Sequence, residues 1–170
     1  MGRTGRIYRK VRATLVDEPS NFGWIVKGKL AASGLPSSKG QITWLSEHGI
    51  NRILSLTEKP IPAEWLGGSG ISVKHIPMRD HEAPDIEHLI EASGYIRSEV
   101  DADGVVLVHC LAGKGRTGSA IAAYLIDTGK MDAKKAIEYL REMRPGSVEG
   151  RQVDSVIKFE KRLRKGSKAP

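Results

Sequence analysis

The residues with the clearest chemical potential lie together in residues 109–119, which read His-Cys-Leu-Ala-Gly-Lys-Gly-Arg-Thr-Gly-Ser. Three glycines, at positions 113, 115 and 118, give the backbone the freedom to turn several amide groups toward one point. A helix predicted to begin after them adds the partial positive charge of its N-terminus. The segment therefore predicts a cradle for a phosphate group. It does not match a Walker A loop, because its Gly-Lys pair is not followed by serine or threonine.

Cys110 is the predicted nucleophile. Inside such a cradle a thiol loses its proton readily, because the backbone amides, Lys114 and Arg116 stabilise the thiolate. The planar guanidinium of Arg116, six residues after Cys110, can bind two oxygens of one phosphate. A lone cysteine at a strand end is more often a small buried apolar residue, but the surrounding glycines and arginine favour the nucleophile. The predicted phosphate-binding residues are Leu111, Ala112, Gly113, Lys114, Gly115 and Arg116.

Two polar neighbours of Cys110 have predicted supporting roles. Thr117 can donate a hydrogen bond to the departing sulfur when a phosphocysteine is hydrolysed. His109 can fix the loop by bonding to its carbonyl groups. No metal site is expected, because the five histidines lack paired spacing with acids on one helix face and a single cysteine cannot build a thiolate zinc cluster.

The pattern of apolar residues predicts strands that alternate with helices. Residues 105–108 form the most apolar run, typical of a fully buried strand. We therefore predict one α/β domain with a central, mostly parallel sheet flanked by helices, and a phosphate-binding loop between a buried strand and a helix. The predicted strands are residues 7–15, 23–26, 52–56, 73–76 and 105–108, and predicted helices begin near Ser37 and Ser38, Asp85, Thr117, Asp132 and Gln152.

Length and charge narrow the class of protein. The chain has 170 residues and a formal charge of +7, a length that predicts one domain. Residues 1–12 and 158–168 each carry +5, so the remainder is slightly acidic. Solvated tails explain such ends better than nucleic-acid binding, since few aromatic residues are available to stack on bases. With no apolar run of membrane-spanning length and no possible internal disulfide, we expect a cytoplasmic protein.

The arrangement His-Cys-x5-Arg-Thr resembles the signature of the cysteine-dependent protein tyrosine phosphatases. The short chain is similar to the dual-specificity phosphatases, and four further segments resemble their compact atypical branch. The resemblance implies a protein phosphatase that uses a phosphocysteine intermediate and no cofactor. It covers residues 20–164, leaving residues 1–19 as a basic extension, in part a strand, and residues 165–170 as a tail. The four segments are residues 21–24, 30–35, 54–58 and 144–147.

The same resemblance implies an acid that protonates the leaving group from a loop upstream of the nucleophile. Asp80 fits best, because it follows the strand predicted at residues 73–76. His81 and Glu82 are competing proton donors, whereas Asp85 is better explained as a helix N-cap. Gln152 is the candidate for placing the hydrolytic water, although its spacing from the 144–147 segment is one residue shorter than the family pattern.

The substrate stays open between several phosphate esters. Lys114 and His81 resemble the extra positive charges of phosphoinositide phosphatases of the tensin-homologue type, but those enzymes have a lysine where this chain has Leu111. Phosphorylated proteins are therefore favoured over inositol phosphates and phosphoinositides. An RNA 5′-phosphatase is a further alternative because of the basic ends. A phosphate-binding module without activity is the non-enzymatic alternative. The sequence does not separate phosphotyrosine from phosphoserine and phosphothreonine.

Overall fold

The structure is a computed structural model that describes residues 17–166. Within these residues, five strands form one sheet in the order β1-β2-β5-β3-β4. The β1–β2 pair is antiparallel and the other pairs are parallel. The strands are β1 (Gly23–Val26), β2 (Leu30–Ser33), β3 (Arg52–Ser55), β4 (Ser72–His75) and β5 (Val106–His109). The helices are α1 (Lys39–Glu47), α2 (Ala63–Leu66), α3 (Ile86–Asp101), α4 (Gly115–Asp127), α5 (Ala133–Met143) and α6 (Arg151–Gly166).

The central strand β5 is buried along its whole length. Its apolar residues alternate between two layers of core, as the side chains of a strand must. Leu107 packs toward α1 with Ile42 and Leu45. Val106 and Val108 belong to the larger core, to which α3, α4, α5 and α6 contribute. Burial on both faces explains why this segment reads as a continuous apolar run.

The carboxyl ends of the three central strands meet at one edge of the sheet. His109 is in register with Ser33 on β2 and with Ser55 on β3. The loops that follow β2, β3, β4 and β5 therefore leave the sheet on the same side, where ligands of parallel α/β sheets bind. The loop after β5 is the one that contains Cys110.

The predicted fold class is confirmed, and two of the three predicted helix caps are confirmed. Ser38 accepts a hydrogen bond from the Gln41 amide at 3.2 Å, and Asp132 accepts one from the Lys135 amide at 2.8 Å. Asp85 occupies the N-cap position of α3, but its side chain makes no capping hydrogen bond. Its exposed carboxylate instead lies 3.8 Å from His88 Nδ1.

Two elements were missed and several boundaries differ by one or two residues. The strand β2 has only four residues, Leu30 followed by three small ones. The helix α2 is a single turn. Neither element is long enough to show a periodic pattern. The helix α4 begins at Gly115, two residues before the predicted start at Thr117. The strand predicted at residues 7–15 lies outside the described residues. Among residues 17–166, no helix is long and apolar enough to cross a membrane.

Candidate active site

Cys110 lies at the floor of a cavity of about 570 Å³, directly after β5. Its side chain is almost completely buried, with 3% exposed. The chain turns around it through residues 111–114 and enters α4 at Gly115. The predicted site residues that line the cavity with Cys110 are Asp80, His81, Ala112, Lys114, Gly115, Arg116 and Gln152.

Polar groups behind the loop hold its carbonyls away from the cavity. The Leu35 amide donates to the Leu111 carbonyl at 3.3 Å. Asn21 Nδ2 donates to the carbonyls of Ala112 and Gly113 at 3.1 and 3.2 Å. In a trans peptide the carbonyl of one residue and the N–H of the next point in opposite directions. The amides of residues 112, 113 and 114 are therefore turned to the opposite side of the loop, toward the cavity.

Arg144 supports the same loop from below. Its Nη2 donates to the carbonyls of Gly113 and Asn21 at 2.9 and 2.6 Å, and the side chain is 8% exposed. Burial lowers the pKa of this guanidinium, and the Coulombic influence of Cys110 opposes that shift. Arg144 and Asn21 thus form one connected support under the cradle.

Gly113 is the residue at which the loop approaches the sheet most closely. Its φ is +71°, a left-handed conformation that favours glycine. A Cβ atom there would lie 2.3 Å from the backbone carbon and oxygen of Ser33. Both constraints explain the glycine at this point of the loop.

Arg116 connects the cradle to the acidic loop. Its side chain is 2% exposed. Nη1 donates to the carbonyls of Leu56 and Met78 at 3.3 and 2.7 Å and to Glu58 Oε2 at 3.1 Å. Nη2 donates to Asp80 Oδ1 at 2.7 Å. The predicted acid and the predicted clamp therefore lie in direct contact.

Glu58 holds both partners of that pair. Its Oε1 accepts a hydrogen bond from the Asp80 amide at 2.8 Å, while Oε2 binds Arg116. Hydrogen bonds from the amides of Glu58 and Asp80, and then the charge of Arg116, lower the pKa of the Glu58 carboxyl. A Glu58 carboxylate thus fixes the start of the loop that presents Asp80.

His81 and Gln152 border the cavity on two sides. His81 has φ +62°, and its Nε2 lies 3.5 Å from Asp80 Oδ2. Gln152 Oε1 accepts a hydrogen bond from the Glu149 amide at 3.0 Å. The carboxamide of Gln152 packs directly over Gly115, where a Cβ atom would have no room. The short spacing in the sequence therefore does not keep Gln152 away from the cavity.

His109 and Thr117 are both buried, and neither lines the cavity. His109 Nδ1 lies 3.4 Å from the Cys110 carbonyl, which fits its predicted contact with the loop. Burial, with the nearby charge of Arg116, lowers the pKa of His109 to about 4, so the imidazole is neutral near pH 7. Among the described residues, the Thr117 hydroxyl has no hydrogen-bond partner. That hydroxyl is free to serve a new acceptor formed during a reaction.

Three residues support the site without having been predicted as site residues: Glu58, Asn21 and Arg144. Each lies in a segment that resembles the phosphatase family, but the resemblance alone did not say what the side chain contacts. For Glu58 a signal was present, because an acid just after β3 must lie near the loop that follows the adjacent strand β5. Asn21 and Arg144 come from positions 91 and 31 residues away from their loop contacts. No local pattern reveals such distant pairs.

The known proteins that this chain is similar to are phosphatases. Residues 19–157 match PTP-SAK, described as a Swiss Army Knife protein, DSP-PTPase phosphatase domain. Dual specificity protein phosphatase CDC14B of Mus musculus is 28% identical over 153 residues, covering 82% of this chain and 31% of that protein. The tyrosine-protein phosphatase CDC14 homolog of Schizosaccharomyces pombe is 43% identical over 83 residues, covering 49% of this chain and 15% of that protein.

A solved structure agrees in fold. Tk-PTP in its active form superposes with a TM-score of 0.72 at 29% identity, covering 79% of this chain and 93% of that chain. This chain therefore spans nearly the whole of a small phosphatase structure, but under a third of the length of the two CDC14 relatives.

Proposed function

Because the chain belongs to the PTP-SAK family of DSP-PTPase phosphatase domains, we propose that it hydrolyses phosphate monoesters on proteins through a phosphocysteine intermediate. The observation on which this rests is the placement of Cys110 under inward-facing amides, with Arg116 and Asp80 joined at the same cavity. Phosphorylated tyrosine, serine and threonine are the proposed substrates, in line with the dual-specificity relatives. The cytoplasm is the proposed compartment, since a catalytic thiol must stay reduced.

In the first step the Cys110 thiolate attacks phosphorus. An S–P bond forms as the bond between phosphorus and the ester oxygen breaks. Asp80 donates its proton to that oxygen, which leaves as a neutral alcohol or phenol. The entering phosphate dianion competes with the carboxylates of Glu58 and Asp80 for the Arg116 guanidinium. Release from Arg116 leaves the Asp80 carboxylate free to take up a proton from solvent, and this is the proton that it donates to the ester oxygen.

In the second step water hydrolyses the phosphocysteine. The oxygen of the water bonds to phosphorus, and Asp80, now a carboxylate, takes the proton that the water loses. The S–P bond breaks, and Thr117 donates a hydrogen bond to the departing sulfur. Gln152 positions the water from its place over Gly115. Inorganic phosphate leaves and the thiolate is restored.

Two substitutions test this chemistry on a generic aryl phosphate. Cys110→Ser should lower kcat by on the order of 10³-fold or more, while inorganic phosphate still binds in calorimetric titration. Asp80→Asn should lower kcat by about 10²- to 10⁴-fold for substrates with poor leaving groups, and by far less for p-nitrophenyl phosphate. The control is Asp85→Asn, which alters a neighbouring acid that does not line the cavity. Undiminished hydrolysis by Cys110→Ser would exclude the covalent mechanism.

A second candidate is the hydrolysis of inositol phosphates or phosphoinositides. Lys114 and Arg151 border the phosphate cavity and offer positive charge for a second phosphate, and His81 lies on the same border. Glu82 and Glu149 border the same cavity and offset that charge. The near balance favours a substrate with one phosphate dianion. A panel of phosphopeptides, inositol polyphosphates, phosphoinositides and 5′-triphosphorylated RNA, compared by kcat/KM, tests the choice.

A further inference from the structure

We propose that an apolar groove beside the phosphate cavity binds an apolar side chain of the substrate polypeptide, one to three residues from the phosphorylated residue. This inference rests on the proposed function. The groove has a volume of about 580 Å³. Its apolar wall is formed by Leu35, Pro36, Pro60, Pro62, Trp65 and Leu111.

The groove and the phosphate cavity share no lining residue, but residues adjacent in the chain or in direct contact line the two. Leu111 directly follows Cys110 and belongs to the cradle, yet it also lines the groove. Glu58 lines the groove and binds Arg116, which lines the cavity. An extended peptide advances about 3.3–3.6 Å per residue. A peptide with its phosphate in the cavity therefore brings its nearest neighbours to the groove.

The walls of the groove are held in place before any ligand binds. The Leu35 amide donates to the Leu111 carbonyl at 3.3 Å, which fixes one wall to the cradle. Thr57 Oγ1 donates to the Lys59 carbonyl at 2.7 Å, which closes the turn on the other side. The prolines restrict the backbone further. A preformed site binds a side chain with little ordering cost.

The rim of the groove favours a polypeptide over the acyl chains of a lipid. The volume lies within the range of ordinary ligand pockets, roughly 300–1,000 Å³, so a side chain fits without rearrangement. Ser37, Glu58 and Lys59 place polar and charged groups around the apolar floor. A peptide can satisfy such groups with its backbone amides and charged side chains, whereas two acyl chains cannot.

The test compares pairs of phosphopeptides that differ by leucine or serine at one position, scanned over three residues on each side of the phosphorylated residue. Burying one such side chain is worth about 10- to 100-fold in binding. We expect the wild-type kcat/KM to be about tenfold or more higher for the leucine peptide at one or two positions. Trp65→Ala and Pro62→Ser should remove this preference without changing kcat/KM for p-nitrophenyl phosphate.

Trp44→Ala is the matched control. Trp44 is a partly buried tryptophan that packs on the same core cluster as Trp65 but does not line the groove. It should keep the leucine preference. The wild-type comparison needs no variant, so it decides the question even if Trp65→Ala misfolds.

The results separate the two proposals. Equal rates for leucine and serine peptides at every position would overturn the groove and leave the phosphatase proposal standing. Hydrolysis of aryl or inositol phosphates without hydrolysis of any phosphopeptide would overturn the proposed function and the groove with it. The last outcome concerns lipids. If Trp65→Ala lowers kcat/KM only for a dioctanoyl phosphoinositide, and not for its soluble headgroup, the groove binds acyl chains and the peptide proposal is wrong.

Discussion

Replacing Gly113 with alanine should remove most of the phosphatase activity while the domain stays folded. The added Cβ would lie 2.3 Å from the carbonyl carbon and oxygen of Ser33 and 2.6 Å from the Gly34 nitrogen. All three are backbone atoms of the segment that ends β2, so they cannot turn aside as a flexible side chain could. The loop that contains Gly113 must move instead.

The size of the effect follows from the distances. Non-bonded carbon atoms approach to about 3.5–4.0 Å, so the cradle must withdraw from β2 by about 1 Å. A displacement of that size at an active site costs on the order of 10²-fold in rate. We therefore expect kcat/KM to fall by about 10²-fold, or about 3 kcal/mol of transition-state stabilisation. The left-handed φ of +71° adds about 1–2 kcal/mol of backbone strain to the folded state.

Gly129→Ala is the matched control for the strain. Gly129 has φ +69°, and an added Cβ there has nothing within 4 Å. Both variants should lose stability in thermal unfolding because they share the backbone strain, and Gly113→Ala should lose more because its Cβ also presses against β2. Hydrolysis of p-nitrophenyl phosphate and calorimetric titration with inorganic phosphate should be impaired in Gly113→Ala alone.

Wild-type kcat/KM in Gly113→Ala would refute this reasoning. It would mean that the cradle does not depend on close contact with β2. Equal losses of activity in Gly113→Ala and Gly129→Ala would also refute it, because a general loss of stability would then explain both.

Two further predictions concern buried groups beside Cys110. The pKa of His109 is about 4 in the folded chain and near 6.5 when unfolded, so the unfolded state binds the extra proton first and stability falls as pH drops from about 6.5 to 4. In urea unfolding, the free energy of unfolding should fall by about 3 kcal/mol more over this pH range in wild type than in His109→Asn. Equal losses would contradict the lowered pKa of His109. Arg144→Lys cannot reproduce the paired bonds to Gly113 and Asn21 and should lower kcat/KM about 10- to 100-fold; Arg97→Lys, on the exposed surface of α3, should match wild type.

The chemistry proposed for the cradle can be predicted from a short stretch of sequence. Cys110, Lys114 and Arg116 lie within seven consecutive residues, between a buried strand and a helix. Their relative placement depends on local backbone conformation. The glycines at 113 and 115 indicate a tight turn in that backbone. The α/β class could also be predicted. A fully apolar strand must be covered on both faces, and the amphipathic helices that follow it can provide that cover. The caps at Ser38 and Asp132 are equally local.

The contacts that surround the cradle depend on tertiary structure instead. Glu58 and Asp80 reach Arg116 because β3 lies beside β5 and β4 lies beside β3, all in parallel, and no single strand reveals this order. Asn21 and Arg144 meet at Gly113 from opposite ends of the chain. The strand β2 was not predicted because one leucine followed by three small residues has too little pattern to distinguish a strand from a loop. Long-range contacts of this kind arise when the whole core packs, so the residues that hold and limit the catalytic loop are visible only in the folded protein.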